Sequence, residues 1–547
     1  VSAAAPPSFS ELPDPWGDRG VLAAASRDCR AVHERLLARL AHRLDAEHGA
    51  SLGVRYWRIA LGPWLLYHLQ QLEDRRRRAA AFLSEGRRPE ALLDDADFET
   101  PRDTPDFLSL FPTERYNLQL LALCFRAAGV KAPPARAAAG SRYETRPSNS
   151  LGDLKALARR TAYRAARFVR PPEILTDGVY PLGRGHEDLA AACGWRLWPL
   201  ADALPERLRV PAVLDARRRA LAGIESEGPL EALAAASLPR CLPAIFLEGF
   251  PAVRAHARRI LGTPPKVMLH STGIYYNELY KFCAAEAALA GTRLVGVQHG
   301  GQYGMALWSN PEWHERAIAD LYLTWGWSED EKTVPVPVPW LSAAPARAPR
   351  DAEVLLVSTS GLKIPHELFP APISRQYEEH FARRERFLAA LAPEERAATR
   401  VRLFPVDCGW GERAALERRF PGTRFDSGPL KESVSRAALV VCDHPGTFFL
   451  ETLAWDVPGV HFWDERLWPS RPAALEAFAP LKRAGVVHDS PESAARRVAE
   501  VRGDPSAWWG SPAVRDARRG FVERYARTSP DWTREWAAVL RRAGANW

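Results

Sequence analysis

The apolar positions of this chain change rhythm about halfway along. From about residue 21 to 90 they recur at helical spacing, broken only by Gly53 and Gly62-Pro63, and a helical stretch over 113–129 closes at Gly129. Residues 130–152 are rich in Pro, Ala, Gly and Ser and read as a linker, followed by a mixed region ending in helical segments. From Lys266 the apolar residues come in short blocks closed by small or polar residues. Lys266–His270, Leu294–Gln298 and Leu321–Trp325 read as strands, and Tyr275–Ala290 as a helix. Val334–Pro349 carries Pro335, Pro337, Pro339, Pro345 and Pro349, a stiff extended stretch that marks a domain boundary. Beyond it, strands at Val354–Ser358, Val401–Phe404, Leu439–Cys442, Gly459–Trp463 and Val486-Val487 alternate with helices at Ser374–Leu391, Leu430–Ala437, Thr447–Trp455 and Arg471–Ala484, and helices close the chain. Alternation of this kind predicts parallel, doubly wound sheets with right-handed connections. The expected fold is α/β: a helical N-terminal extension over 1–130, one Rossmann-like lobe over 131–345, and a second over 346–547.

Composition adds little to this picture and excludes more. The 547 residues are 46% hydrophobic and 26% charged, an ordinary globular balance. Lys and Arg exceed Asp and Glu by 74 − 66 = 8, and the excess is diffuse. Its longest run, Arg75-Arg76-Arg77-Arg78, predicts a solvated helix face or a patch drawn to an anionic membrane or glycan. No nucleic-acid recognition pattern is present. The seven cysteines are scattered and never in CxxC spacing, which argues against a disulfide framework or zinc site and fits a reducing cytoplasm. No run approaches the roughly 18 apolar residues of a membrane span.

Chemistry concentrates where apolar blocks end. In Asp443-His444-Pro445-Gly446-Thr447, Gly446 permits close backbone approach, and Thr447 is placed to cap the following helix or meet a phosphate oxygen. Glu451, four residues on, shares its face and can accept from ribose hydroxyls. His444 can donate to a phosphate and, if protonated, offset leaving-group charge. Gln298-His299-Gly300-Gly301 has the same shape, with His299 a candidate general acid or base. Ser271-Thr272-Gly273, Ser358-Thr359-Ser360-Gly361 with Lys363, and Arg402-Leu403-Phe404-Pro405 end other strands. Each has a plainer reading as a turn, cap or surface ion pair. Asp95-Ala96-Asp97 matches a metal-binding DxD but follows no strand, and Gly183-Arg184-Gly185 reads as a turn. No GxSxG elbow supports a hydrolase triad.

These pieces together resemble the surface-carbohydrate (O-antigen locus) transferase family. The likeness is carried by Arg55-Tyr56-Trp57-Arg58-Ile59 with Gly62-Pro63-Trp64-Leu65, by Gly296–Gly301 with Tyr303-Gly304, by Arg402–Pro405, by Asp443–Ala454 and by the tail around Trp532–Trp536. More widely, the chain is similar to two-lobed (GT-B-like) bacterial sugar transferases of capsule and lipopolysaccharide assembly, some of which use CMP-activated octulosonate or nonulosonate. The resemblance implies a glycosyltransferase that takes a sugar from a nucleotide-sugar to a glycan or lipid-linked glycan; the expected setting is the cytoplasm or the inner face of its membrane, and no metal or other cofactor is expected because Arg402, His444 and the N–H groups near Thr447 can stabilise the leaving phosphate. The resemblance implies Gln298-His299-Gly300 toward the sugar or acceptor, Arg402 with Pro405 at the basic element, Thr447 at the phosphate and Glu451 at the nucleoside. Together with the strand-end motifs, the expected catalytic residues are His299, His444 and Arg402, and Gln298, Gly300, Gly301, Ser271, Ser360, Lys363, Asp443, Gly446, Thr447 and Glu451 are expected around the donor. The chain departs at one point: Phe404, not His, precedes Pro405, and its His-Pro pair is His444-Pro445. A nucleotide-sugar 2-epimerase, a teichoic-type polyol-phosphate transferase and a non-catalytic glycan-binding protein remain as alternatives.

Overall fold

The computed structural model describes residues 6–136, 171–177, 185–200, 202–348 and 353–545. Most of the expected 130–152 linker, and Gly183 with Arg184, lie outside the described residues. Two six-stranded sheets, parallel throughout, form the body. A small parallel pair, β1 (Leu92–Leu93) with β2 (Pro134–Ala135), joins the helical extension to the segment after it. The N-terminal lobe has β3 (Ile174–Thr176), β4 (Leu197–Pro199), β5 (Val267–His270), β6 (Arg293–Val297), β7 (Leu321–Thr324) and β8 (Thr333–Pro335), in spatial order 4-3-5-6-7-8. The C-terminal lobe has β9 (Val354–Val357), β10 (Thr399–Arg402), β11 (Arg424–Phe425), β12 (Leu439–Cys442), β13 (Gly459–Phe462) and β14 (Val487–His488), in order 11-10-9-12-13-14. The chain is therefore an α/β protein of two Rossmann-like lobes, the GT-B-like layout. In each sheet the order reverses beside the first strand, and ligands of such sheets bind at that reversal, beyond the carboxyl ends of the strands.

The short strands β3, β4, β8 and β11 escaped the apolar pattern because two or three residues show no period. The expected helix over 275–290 is two helices, Gly273–Tyr276 and Glu278–Leu289. Asn277 between them is extended, and its side-chain oxygen accepts from Tyr280 N at 3.0 Å, restarting the helix. Pro335 ends β8 at the sheet edge, where a missing N–H costs nothing. The rest of the proline-rich stretch is not a free linker: Val338 and Leu341 are buried in an apolar core that also holds Trp325 and Trp327 of one lobe and Val440, Phe449 and Leu453 of the other.

Packing also redraws the domain limits. The helix Trp532–Ala545, expected with the C-terminal lobe, packs Trp536, Ala537 and Leu540 against Leu269, Val295 and Leu323 of the N-terminal sheet. The helical extension (Arg19–Glu47, Gly53–Ala60, Gly62–Ser84) shares one core with Met268, Leu279, Phe282 and Leu294, and so covers a face of that lobe. Gly62 is required there, since a Cβ would lie 2.4 Å from His314 Nε2.

The arginine run is a correction. Arg75 is fully buried, with its guanidinium 2.7 Å from Asp74, 3.0 Å from Asn117 Oδ1 and 2.5 Å from the Pro365 carbonyl of the C-terminal lobe. Arg78 donates to Asp74 at 2.9 Å and to Ser374 Oγ at 2.9 Å, while Arg76 and Arg77 pair with Glu73. Arg75 and Arg78 fasten the extension to the second lobe, while Arg76 and Arg77, partly exposed, pair within their own helix. No helix among the described residues is long and apolar enough to cross a membrane.

Candidate active site at the lobe interface

A cavity of about 640 Å³ opens at the reversal of the C-terminal sheet, between the ends of β9 and β12. Its walls are Val357–Leu362 after β9, Arg402–Pro405 after β10, and His444, Gly446, Thr447, Phe448 and Glu451 after β12. Gly300, Gly301, Gln302 and Tyr303 close it from the other lobe.

The helix Thr447–Ala454 begins at this wall, aiming unpaired N–H groups and its positive dipole end at the cavity. Thr447 is its first residue and Gly446 its cap, contrary to expectation; no side chain caps it. The reason lies across the interface: Thr447 Oγ1 accepts from Gly301 N at 3.1 Å. A Cβ on Gly301 would fall 2.6 Å from Thr447 N and Cα, so the absence of a side chain lets the lobes meet here. Further along, Arg471 donates to Ala306 O at 3.0 Å and Glu312 Oε1 at 2.8 Å, again between lobes.

His444 carries the charge. Its Nδ1 is 3.0 Å from Asp443 Oδ1 and 3.4 Å from Cys442 Sγ. Burial opposes the cation, but Cys442 and Asp443 outweigh it and raise the imidazole to about 10. Asp443 is itself buried; despite that burial, Arg384, His380 and His444 hold it well below the usual carboxylate range. Arg384 Nε donates to Asp443 at 2.8 Å and its other arm to Thr359 O at 2.8 Å. Glu412 accepts from Tyr377 Oη and, at 3.2 Å, from Ser360 Oγ, and burial lifts it to about 7. Glu451 is also lifted to about 7 by burial, against Trp340 and Lys431. Arg402 lines the cavity while one arm is held by Asp426 at 2.5 Å and Gly428 O at 2.6 Å.

The site at the end of β6 is built the opposite way. Gln298 is buried and braces the loop, donating to Gly300 O at 2.8 Å and accepting from Trp325 N and Trp327 Nε1 at 2.9 and 2.8 Å. His299 stands just behind the cavity wall. Its ring packs on Tyr303 and lies 3.6 Å from Glu315, and burial lowers it to about 4. Glu315 accepts from Tyr275, Tyr303 and Tyr322 at 2.9, 3.0 and 2.7 Å, yet burial pushes it up to about 8.

A family profile described as LIC12162 family transferase matches residues 3–540. The chain belongs to the LIC12162 family of transferases. No curated protein sequence matches it. Among solved structures, the LIC12162 family chain is similar to MurG of Acinetobacter baumannii, at 12% identity and a TM-score of 0.33 over 68% of this chain and 98% of that one. It is also similar to the wall teichoic acid polymerase TagF, at 7% identity and 0.30 over 73% and 99%. A third is WaaG, a glycosyltransferase involved in lipopolysaccharide biosynthesis, at 13% and 0.28 over 54% and 95%.

In this LIC12162 family transferase, Ser360, Arg402, His444, Gly446, Thr447, Glu451, Gly300 and Gly301 surround one cavity. Asp443, Gln298 and His299 support it from behind. Ser271 and Lys363 are not brought there. Ser271 sits at the other lobe's reversal, where its N–H donates to Asp177 at 3.2 Å. Lys363 lies over the Trp410 ring, 5.5 Å from its centroid. The DxD residues Asp95 and Asp97 pair with Arg126, Arg115 and Arg136, and no cluster able to hold a metal occurs among the described residues. Sequence reasoning missed Tyr377, Arg384, Glu367 and Glu412. Tyr377, His380 and Arg384 fall at i, i+3 and i+7 of one helix, a polar stripe that was the available signal.

Proposed function

We propose that this protein is a glycosyltransferase that moves a sugar from a nucleotide-sugar to a bacterial surface glycan or its lipid-linked precursor, working in the cytoplasm at the inner membrane face. The observation that supports it most is the meeting of His444, the free start of helix Thr447–Ala454 and Glu451 in one cavity at the sheet reversal. In this reading the donor's phosphates lie against the helix N–H groups and the His444 imidazolium, and Glu451 accepts from the ribose hydroxyls. As the sugar–phosphate bond breaks, the charge growing on the leaving phosphate meets His444 and the helix dipole, a contribution of about 2.7–4 kcal/mol by analogy with oxyanion donors. This preformed positive field supports transfer without a metal. Gly300-Gly301 brings the acceptor lobe to the sugar, and His299 with Glu315 and Tyr303 holds that loop in place.

The test is a thermal-shift panel of CMP, CDP, UDP, GDP and their sugar conjugates. A nucleotide at 100 times its Kd stabilises by about 2.7 kcal/mol. A shift that disappears in His444→Ala is expected, and CMP as the responder selects an octulosonate or nonulosonate donor. Silence across the panel sinks the reading and favours a glycan-binding protein of the same fold.

A further inference from the structure

Several buried carboxylates in and around the cavity have hydrogen-bonded partners: Asp443 has Arg384 and His444, Glu412 has Tyr377 and Ser360, and Asp426 has Arg400, Arg402 and Ser433. Glu367 does not. It is 8% exposed and lines the cavity, and its Oε2 is buried with no hydrogen-bond partner. Burying an unpaired carboxylate is costly, and a purely structural position would favour an apolar residue of similar size.

The backbone on either side of Glu367 is held from outside its own lobe. Arg75 of helix Gly62–Ser84 donates to Pro365 O at 2.5 Å, and Leu368 N donates to Gln70 Oε1 of the same helix at 2.9 Å. Trp308 Nε1 donates to Leu368 O at 2.9 Å, and Arg19 donates to Ala371 O at 3.2 Å. A loop residue fixed by side chains from two other layers has the positional precision that acid–base chemistry needs. The groups electrostatically coupled to it from neighbouring elements are Tyr67 of the extension and the exposed Tyr276 of the N-terminal lobe; His366, beside it in sequence, is the residue that feels the Arg75 charge. Tyr67 and Tyr276 lie within electrostatic reach of Glu367, and both belong to the half of the molecule that the reading above assigns to the acceptor.

We infer that Glu367 is the general base of the transfer, taking the proton from the acceptor hydroxyl; this rests on the sugar-transfer reading above. The acceptor oxygen bonds to the anomeric carbon as its proton passes to the Glu367 carboxylate. The bond from that carbon to the phosphate oxygen breaks, and its electron pair leaves with the nucleotide beside His444. Direct displacement inverts the anomeric centre. Burial lifts the Glu367 carboxyl to about 8, which matches a base working at neutral to slightly alkaline pH. The helical extension then has a catalytic purpose: its Arg75 and Gln70 keep the base in place.

The experiment uses the full chain and its Glu367→Gln and Glu367→Asp variants. Each is put through the nucleotide panel. The sugar conjugate that stabilises wild type is then incubated with it, with water and with a total membrane-glycan extract as acceptors, and nucleotide release is followed from pH 6 to 9. The inference expects Glu367→Gln to fold and keep the nucleotide shift, while release falls by about 10²–10⁴-fold and the limb rising toward pH 8 disappears. Glu367→Asp restores part of the rate. Release within threefold of wild type with an unchanged pH profile overturns the role of Glu367 and leaves the transferase reading standing. A product with retained configuration overturns it equally. A wild type that binds no nucleotide, or consumes no conjugate with either acceptor, overturns the transferase reading, and Glu367 as its base falls too.

Discussion

Strand β6 ends in Gln298-His299-Gly300-Gly301 and β12 in Asp443-His444-Pro445-Gly446, two versions of the same local plan that meet at Gly301 and Thr447. Their histidines are held in opposite states. His444 stands between a carboxylate and a sulfur and is a cation at neutral pH. His299 stands beside a carboxyl lifted to about 8 and is neutral. Burial lowers both rings; at His444 it is outweighed by Cys442 and Asp443, and at His299 nothing offsets it. Asp443 has the buried Arg384 at 2.8 Å and stays ionised, whereas Glu315 has only phenol hydroxyls, whose hydrogen bonds do not offset its desolvation. One loop brings charge to the cavity wall; the other supplies shape, closing the cavity from the opposite lobe.

The most damaging way to break this contrast is to remove the ion behind the charged loop. Arg384→Met leaves Asp443 buried without its closest cation and should cost about 3–5 kcal/mol by chemical denaturation. A loss under about 1 kcal/mol would mean that the histidines alone hold Asp443. His444→Ala should lower nucleotide-dependent turnover by about 10²–10³-fold with the fold intact. His444 is raised above the ordinary value of 6.5, so its stabilisation is full below pH 6.5 and fades as pH climbs through about 10. The stability gap between wild type and His444→Gln should therefore narrow from neutral pH toward pH 10.

Gly301→Ala forces a methyl onto the Thr447 backbone and should cost about 1–3 kcal/mol, with weaker nucleotide binding. Full stability and binding in that variant would show that the lobes can separate freely. His299→Ala should slow turnover about tenfold, a loss of about 1.4 kcal/mol in positioning rather than charge. Because His299 is held at about 4, the unfolded chain takes up its proton first, and stability drains as pH falls from 6.5 to 4. Denaturation midpoints at pH 4.5 and 7 should converge partly in His299→Gln. The smallest effect belongs to Glu315→Gln, about 1 kcal/mol at pH 6, where the carboxyl is already neutral. A loss above about 3 kcal/mol would mean that Glu315 is ionised and that the contrast between the loops is weaker.

Much of the C-terminal lobe was legible in the chain, because each strand there is an apolar block followed by a helix period of its own. Val354–Val357, Leu439–Cys442 and Gly459–Phe462 lie within the predicted spans. The N-terminal lobe was half legible, since β3, β4 and β8 are three residues each and the C-terminal helix returns to it from 197 residues beyond β8. Around the site, residues at strand ends were readable from small and polar types at the close of an apolar run. Arg384 showed only as part of the polar stripe on its helix, and Glu367 not at all, since it lies mid-loop in a stretch whose local pattern carries no mark of a cavity.

Local periodicity was enough to determine the two α/β lobes, the helical extension and the two Gly-containing loops, because strand, helix and turn preferences act over a few neighbouring residues. The tertiary structure alone decided the rest. It turned Arg75 and Arg78 from part of an apparent surface run into a clasp between lobe and extension, and made one histidine a cation and the other neutral. It also left Glu367 unpaired in the wall. Each of these depends on burial and on charges brought from far along the chain, and desolvation and Coulomb energies respond to distance in space rather than in sequence.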